Sequence, residues 1–189
     1  MENETIVQFV GFSTKLSTED FVNIWEVYAR QLAGINNQIT LMKLVPGLYN
    51  HQIKFKYISK HKYRNAEFNF VFMKASGNMQ FPEHNARIVQ VGGYIPVSLG
   101  SEIQKVAAEI KVVAFLAKGG TNWDHLRMLP YASLDIYQAY FENCAYEFVL
   151  EFFLQEPDLI SLIKQLQSVP EIEIGLMEQV PIHELFEKA

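Results

Sequence analysis

Ile110-Lys-Val-Val-Ala-Phe-Leu116 decides how the whole chain is read. The stretch is dense in β-branched and aromatic residues, which suit a pleated strand better than a helix. Just upstream, Ser101-Glu-Ile-Gln104 carries a helix N-cap signature, and a helix begun there would run through Val113 and stop at Gly119-Gly120. Both readings of 101–117 stand on the sequence, and composition favours the strand over 109–117. With a strand there, the segments that follow fall into order. Trp123–Leu129 reads as a short helix before Pro130, and Leu134–Phe141 and Tyr146–Leu154 as hairpin strands joined through Glu142-Asn143. Pro157 suits a first helical position, and Leu159, Ile160, Leu162, Ile163 and Leu166 recur as an amphipathic helix. Val169-Pro170 closes that helix, and Ile172–Val180 is the last strand. The order is strand, helix, strand, strand, helix, strand.

The first half follows the same plan less completely. Ile6–Phe12 is a short apolar strand. Ser17 with Asp20 three residues on resembles a capping box, and Phe21, Ile24, Trp25, Tyr28 and Leu32 mark one helical face ending near Gly34. Ile39–Val45, a Pro46-Gly47 turn and Ile53–Ser59 read as a hairpin. Glu67–Met73 is a further strand, a polar loop holds Gly77, Pro82 and His84, and Arg87–Val97 is the last strand. The second helix is reduced. Local sequences echo between the halves: Ile6-Val-Gln-Phe-Val-Gly-Phe12 with 110–116, Glu67-Phe-Asn-Phe-Val-Phe72 with Glu147-Phe-Val-Leu-Glu-Phe152, and Ile88-Val-Gln-Val-Gly92 with Ile172-Glu-Ile-Gly175.

These patterns predict an α+β fold with mostly antiparallel sheets, built from two ferredoxin-like halves in tandem at residues 1–98 and 99–189. Such a pair resembles the α+β barrel superfamily, which includes antibiotic-monooxygenase-like and stress-responsive barrel proteins. The resemblance spans residues 5–180 and rests on element order. It implies a pseudo-dimeric α+β barrel with an apolar pocket in each half, and it transfers no catalytic residue.

Composition bounds the rest. The chain has 189 residues, 49% hydrophobic, 13% aromatic and 20% charged, a balance that forms a packed core. The longest uncharged apolar run, Val112–Ala117, is far short of the roughly 20 residues of a membrane span. The acidic Met-Glu-Asn-Glu start is unlike a signal peptide, so a cytoplasmic location is expected. Cys144 is the single cysteine, which excludes an internal disulfide framework. Net charge is −5, and it is polarised. Residues 1–98 hold ten Lys/Arg against seven Asp/Glu, and residues 99–189 hold six against fourteen. An acidic chain argues against nucleic acid as a partner. The exception is 51–64, where Lys54, Lys56, Lys60 and Lys62 alternate with Phe55, Tyr57 and Tyr63. That period reads as a strand with a solvated cationic face, either an outer sheet face or an edge guarded by lysine.

No Walker A sequence, Gly-x-Gly-x-x-Gly, Gly-x-Ser-x-Gly or His-Glu-x-x-His is present. The histidines, at 51, 61, 84, 125 and 183, show no ligand spacing, so no metal site and no cofactor are expected. Three clusters remain. His84 sits in Phe81-Pro-Glu-His-Asn-Ala-Arg87, a loop joining an acid, an imidazole and a base before a strand. Gly92-Gly93-Tyr94 interrupts an apolar strand, as a bulge or ligand approach would, although a bulky side chain lying over the glycines is the commoner cause. Tyr137, Tyr140 and Tyr146 crowd with Tyr131 around Cys144, as a partly polar pocket or as sheet–helix core. Trp123-Asp-His-Leu-Arg127 reads as a surface ion pair.

The sequence thus points to a protein that binds a small apolar or aromatic molecule, with room for a cofactor-independent enzyme. The ligand-binding candidates are His84, Gly92, Gly93, Tyr94, Tyr137, Tyr140 and Tyr146. The competing reading is a non-catalytic assembly module, pairing with itself through exposed sheet faces.

Overall fold

The computed structural model describes residues 5–32, 38–45, 53, 55–64, 86–117, 129–140, 144, 146–169 and 172–180. It divides into two compact units. Unit 1 comprises residues 1–43, 54–95 and 179–189, and unit 2 comprises 44–53 and 96–178.

Unit 1 is a four-stranded antiparallel sheet backed by a helix. β1 (Thr5–Thr14) is flanked by β3 (Tyr57–Arg64) and β4 (Ala86–Ser98), and β2 (Gln38–Leu44) pairs with β3 on its far side. The helix α1 (Thr18–Leu32) begins as its sequence requires, with the Ser17 hydroxyl accepting the Asp20 N–H at 3.2 Å and Glu19 and Asp20 in the positive first turn. Its face, Phe21, Trp25 and Ala29, packs on Val10, Phe12, Ile39, Leu41 and Tyr57. Phe21 stacks on Tyr57 at 4.2 Å between ring centroids, and the Tyr57 hydroxyl bonds to Thr18 Oγ1 at 2.9 Å. Val180 closes this core, its N–H donating to the Leu41 carbonyl.

Unit 2 repeats that strand order. β5 (Ile110–Leu116) lies between β7 (Phe148–Leu154) and β8 (Ile172–Gln179), with β6 (Ser133–Ala139) outside β7, all antiparallel. In each sheet the order is therefore fourth, first, third, second. Ser101 does cap a helix, α2 (Glu102–Ala107), but it is six residues long and the chain turns into β5 directly after it. The helix read as running through Val113 therefore stops at Ala107, and the competing strand begins where β-branched residues take over. Pro157 opens a 3₁₀ turn (Glu156–Asp158) that leads into α3 (Leu159–Gln167). α3 lays Leu162, Ile163 and Leu166 on Val112, Ala114, Leu150, Phe152 and Leu154, the even-numbered positions of the sheet. Leu44 and Ile53 press on Gly175, where a Cβ would stand 2.5 Å from the Leu44 methyl.

One sequence expectation is overturned. β3 is an interior strand, not an edge or an outer face, and Lys60 is only 8% exposed beside the buried Ile58 of the same parity. A lysine alternating with aromatics reports two chemical faces, but burial depends on what covers each one; the long lysine stem tolerates cover as long as its tip finds a partner. The strand read at Glu67–Met73, the Pro46-Gly47 turn, Gly34 and the helix at 123–128 lie outside the described residues.

Candidate functional site

Strand register arranges the odd-numbered side chains of unit 2 in rows on the face away from α3. Ser133, Phe153, Lys111 and Met177 form one row across β6, β7, β5 and β8. Asp135, Glu151, Val113 and Gly175 form the next, and Tyr137, Val149, Phe115 and Glu173 the third. This face is buried yet charged: Asp135 is 2% exposed and Glu151 fully buried.

Each carboxylate has its own cation. Lys111 pairs with Glu151 from β5, and Lys105 reaches in from α2 to Asp135 at 2.7 Å while also holding Glu102 at 2.8 Å. Asp135 turns its other oxygen to the Gly100 N–H at 2.8 Å. The Tyr137 hydroxyl donates to Asp135 at 3.5 Å. Both ammoniums lie over the Phe153 ring, at 5.4 Å for Lys105 and 5.3 Å for Lys111. Burial opposes the charge on Lys105, but its bonds to Asp135 and Glu102 outweigh that and raise its pKa. Burial, then the charges of Glu151 and Asp135, push the Tyr137 phenol far above its usual range, so it stays a neutral donor.

Beside this network is a cavity of about 340 Å³. One wall is Ser98, Leu99, Gly100, Ser101 and Gln104, running from the end of β4 into α2. The other is Tyr131, Ala132, Ser133, Leu134 and Ile136, leading into and along β6. Asp135 binds the two walls together, since it belongs to β6 and holds Gly100 and Lys105 on the opposite side. The fit is close: a Cβ on Gly100 would stand 1.9 Å from Ser133 Oγ and 2.8 Å from the Leu134 nitrogen.

The sequence candidates fall in both units. Gly92, Gly93 and Tyr94 lie in β4 within unit 1, where Gly92 and Gly93 hold regular register with Phe9 and Gln8. The bulge falls earlier, between Gly11 and Phe12 and their β4 partners. Tyr94 folds its ring over Gly92 and packs edge-on against Phe9 at 5.6 Å, which accounts for a glycine at 92 by packing. Tyr137 belongs to the charged face, and Tyr140 is exposed. Tyr146 donates its hydroxyl to Glu173 and packs on Phe115, and burial followed by Glu173 raises its pKa. None of these six is among the residues lining the cavity. His84 lies outside the described residues. Lys105, Lys111, Asp135 and Glu151 went unremarked as site residues, although Lys111, Asp135 and Glu151 are each a lone charge inside an apolar strand.

No family model and no curated protein matches this sequence. Solved structures do. An arginine-to-glutamate variant of chlorite dismutase from Candidatus Nitrospira defluvii aligns over 100% of this chain and 96% of its own, at 16% identity and a TM-score of 0.58. A tryptophan-to-phenylalanine variant of the same enzyme with cyanide aligns over 100% and 95% at 16% identity and 0.58. Its complex with imidazole gives 100%, 96%, 15% and 0.58. The chain has the α+β fold of chlorite dismutase. At this identity the likeness establishes fold and leaves activity open. Among the described residues, no helix is long and apolar enough to cross a membrane.

Proposed function

We propose that this chain is a small-molecule-binding protein and that unit 2 holds the ligand. The carrying observation is the cavity of about 340 Å³ between the 98–104 wall and β6, a volume in the range of small-ligand sites. Its walls are tied by buried charge-assisted bonds through Asp135, which preorganise it. The fold supports the reading, because solved relatives by fold were captured with small molecules, cyanide and imidazole. Both are also good metal ligands. Among the described residues no three His, Cys, Asp or Glu group to hold a metal, and the one described histidine, His61, is buried in unit 1 with its Nε2 on Ser59. A ligand-observed NMR screen of small aromatic fragments tests the proposal. Fragments that bind the wild type and are lost from Ala132→Phe, which fills the cavity, support it; no difference between the two proteins refutes it.

Assembly is the second reading, and the exposed apolar run Val97, Leu99, Ile103 and Val106 favours it. Sedimentation velocity of the wild type against an Ile103→Glu/Val106→Glu variant decides it: a wild-type oligomer that the variant dissociates is required. We read the chain, further, as two related ferredoxin-like halves, residues 1–98 and 99–189, and place it in the cytoplasm.

A further inference from the structure

We propose that the unit 2 cavity takes an uncharged molecule with an apolar body and a hydrogen-bonding edge, of which a phenol is the simplest member. The inference rests on the reading of this cavity as the ligand site and adds the ligand's chemical class. The two walls differ. Ser98, Ser101 and Gln104 give one wall its polar groups, while Ala132, Leu134 and Ile136 make the other apolar. Ser101 Oγ is engaged in accepting the Gln104 N–H of the helix cap at 3.4 Å. Among the described residues, the Ser98 hydroxyl and the Gln104 carboxamide are in no hydrogen bond, and the buried Ser133 hydroxyl has no partner either. Hydroxyls and carboxamides both give and take hydrogen bonds, so the complement is a group that does the same.

The described lining disfavours charge. Among the described residues that line the cavity, none is ionisable apart from the phenol of Tyr131. The nearest charges are already committed, Asp135 to Gly100 and Lys105, and Lys105 to Asp135 and Glu102. A charged ligand would shed water and meet no uncommitted counter-ion among the described residues. The volume, near the lower end of the range for ligand pockets, suits a single ring.

Three probes of matched shape test the class on the full chain by calorimetry at neutral pH: p-cresol, 4-methylbenzoate and 4-methylbenzylamine. The expected result is saturable p-cresol binding, with both charged analogues weaker by about tenfold or more, a difference of about 1.4 kcal/mol. Gln104→Leu, on an exposed helix with no buried side chain, is expected to weaken p-cresol several-fold while leaving the thermal midpoint in place. If either charged analogue binds as tightly as p-cresol and Ala132→Phe abolishes it, the class is wrong and the cavity reading survives. If Ala132→Phe changes the binding of no probe, both fall. Unchanged p-cresol affinity in Gln104→Leu overturns the assignment of the polar wall.

Discussion

Asp135 and Glu151 stand directly opposite one another on β6 and β7, and each is neutralised by a lysine from a different element. Two carboxylates facing each other across a strand pair repel when both are ionised. Here Lys105 of α2 serves one and Lys111 of β5 the other, and Tyr137, directly along β6, stays protonated between them. The arrangement ties α2, which buries no side chain of its own, to the sheet.

Removing one ion of such a pair costs more than removing both. Lys111→Met leaves Glu151 fully buried beside Tyr137 with its cation gone, and a loss of about 3 kcal/mol is expected. Lys111→Met/Glu151→Met removes both charges and should recover most of it. Urea denaturation of the two single variants and the double variant checks this. A double variant no more stable than Lys111→Met would show that the pair carries no coupling.

Acid should act through unit 1. His61 is buried on the sheet beside Ser59, and burial lowers its pKa from 6.5 to about 3. Between those values the unfolded chain binds a proton that the folded chain refuses, so unfolding gains as pH falls. The histidine's contribution is intact above about pH 6.5 and declines toward pH 3, with a slope approaching about 1.4 kcal/mol per pH unit. His61→Gln should flatten that limb while leaving stability above pH 7 less pH-dependent than mutation-dependent. Chemical denaturation at stepped pH is the measurement, and an unchanged acid limb in the variant would remove His61 as its cause.

Alkali should act through unit 2. Tyr146 donates to Glu173, and burial together with that carboxylate raises its pKa. The folded chain then keeps a proton that the unfolded chain loses near pH 10. The stabilisation is present in full below pH 10 and drains away as pH climbs from there toward the folded value. Tyr146→Phe is expected to be less stable than the wild type at pH 8 and to show a shallower decline above pH 10. Parallel alkaline limbs would refute the assignment.

What was legible in the sequence follows from which signals are local. The α1 cap at Ser17, the strand at 110–116 and the α3 face at Leu162, Ile163 and Leu166 depend on residues a few positions apart, and each formed where it was read, except that Ile160, read with that face, is exposed. The charged face did not show itself in the same way. Asp135, Glu151 and Lys111 are brought into rows by strand register, which pairs residues as far apart as Lys111 and Met177, and only that pairing shows that these lone charges share one buried face. Lys60 failed for the opposite reason: its alternation was visible, but the strands that flank β3 on both edges, and so its interior place, come from residues distant in sequence. The cavity walls, 98–104 and 131–136, were equally beyond a local pattern.

The glycine pair in β4 gives the last test, and it separates packing from ligand approach. A Cβ on Gly92 would stand 2.6 Å from Cε2 of Tyr94, whose ring is buried and held edge-on against Phe9. This buried ring must shift to admit the methyl, so Gly92→Ala should cost about 1–3 kcal/mol, as overpacking does. In a domain of this size that lowers the thermal midpoint by roughly 2–4 °C for each kcal/mol. Shrinking the obstructing ring should restore it: Gly92→Ala/Tyr94→Leu is expected to lose less than the sum of the two single variants, because the clash is gone. A thermal scan of all four proteins reads the interaction directly. Strict additivity would mean that Tyr94 does not occupy the space over Gly92, and would return the glycine pair to the list of places where a ligand meets the backbone.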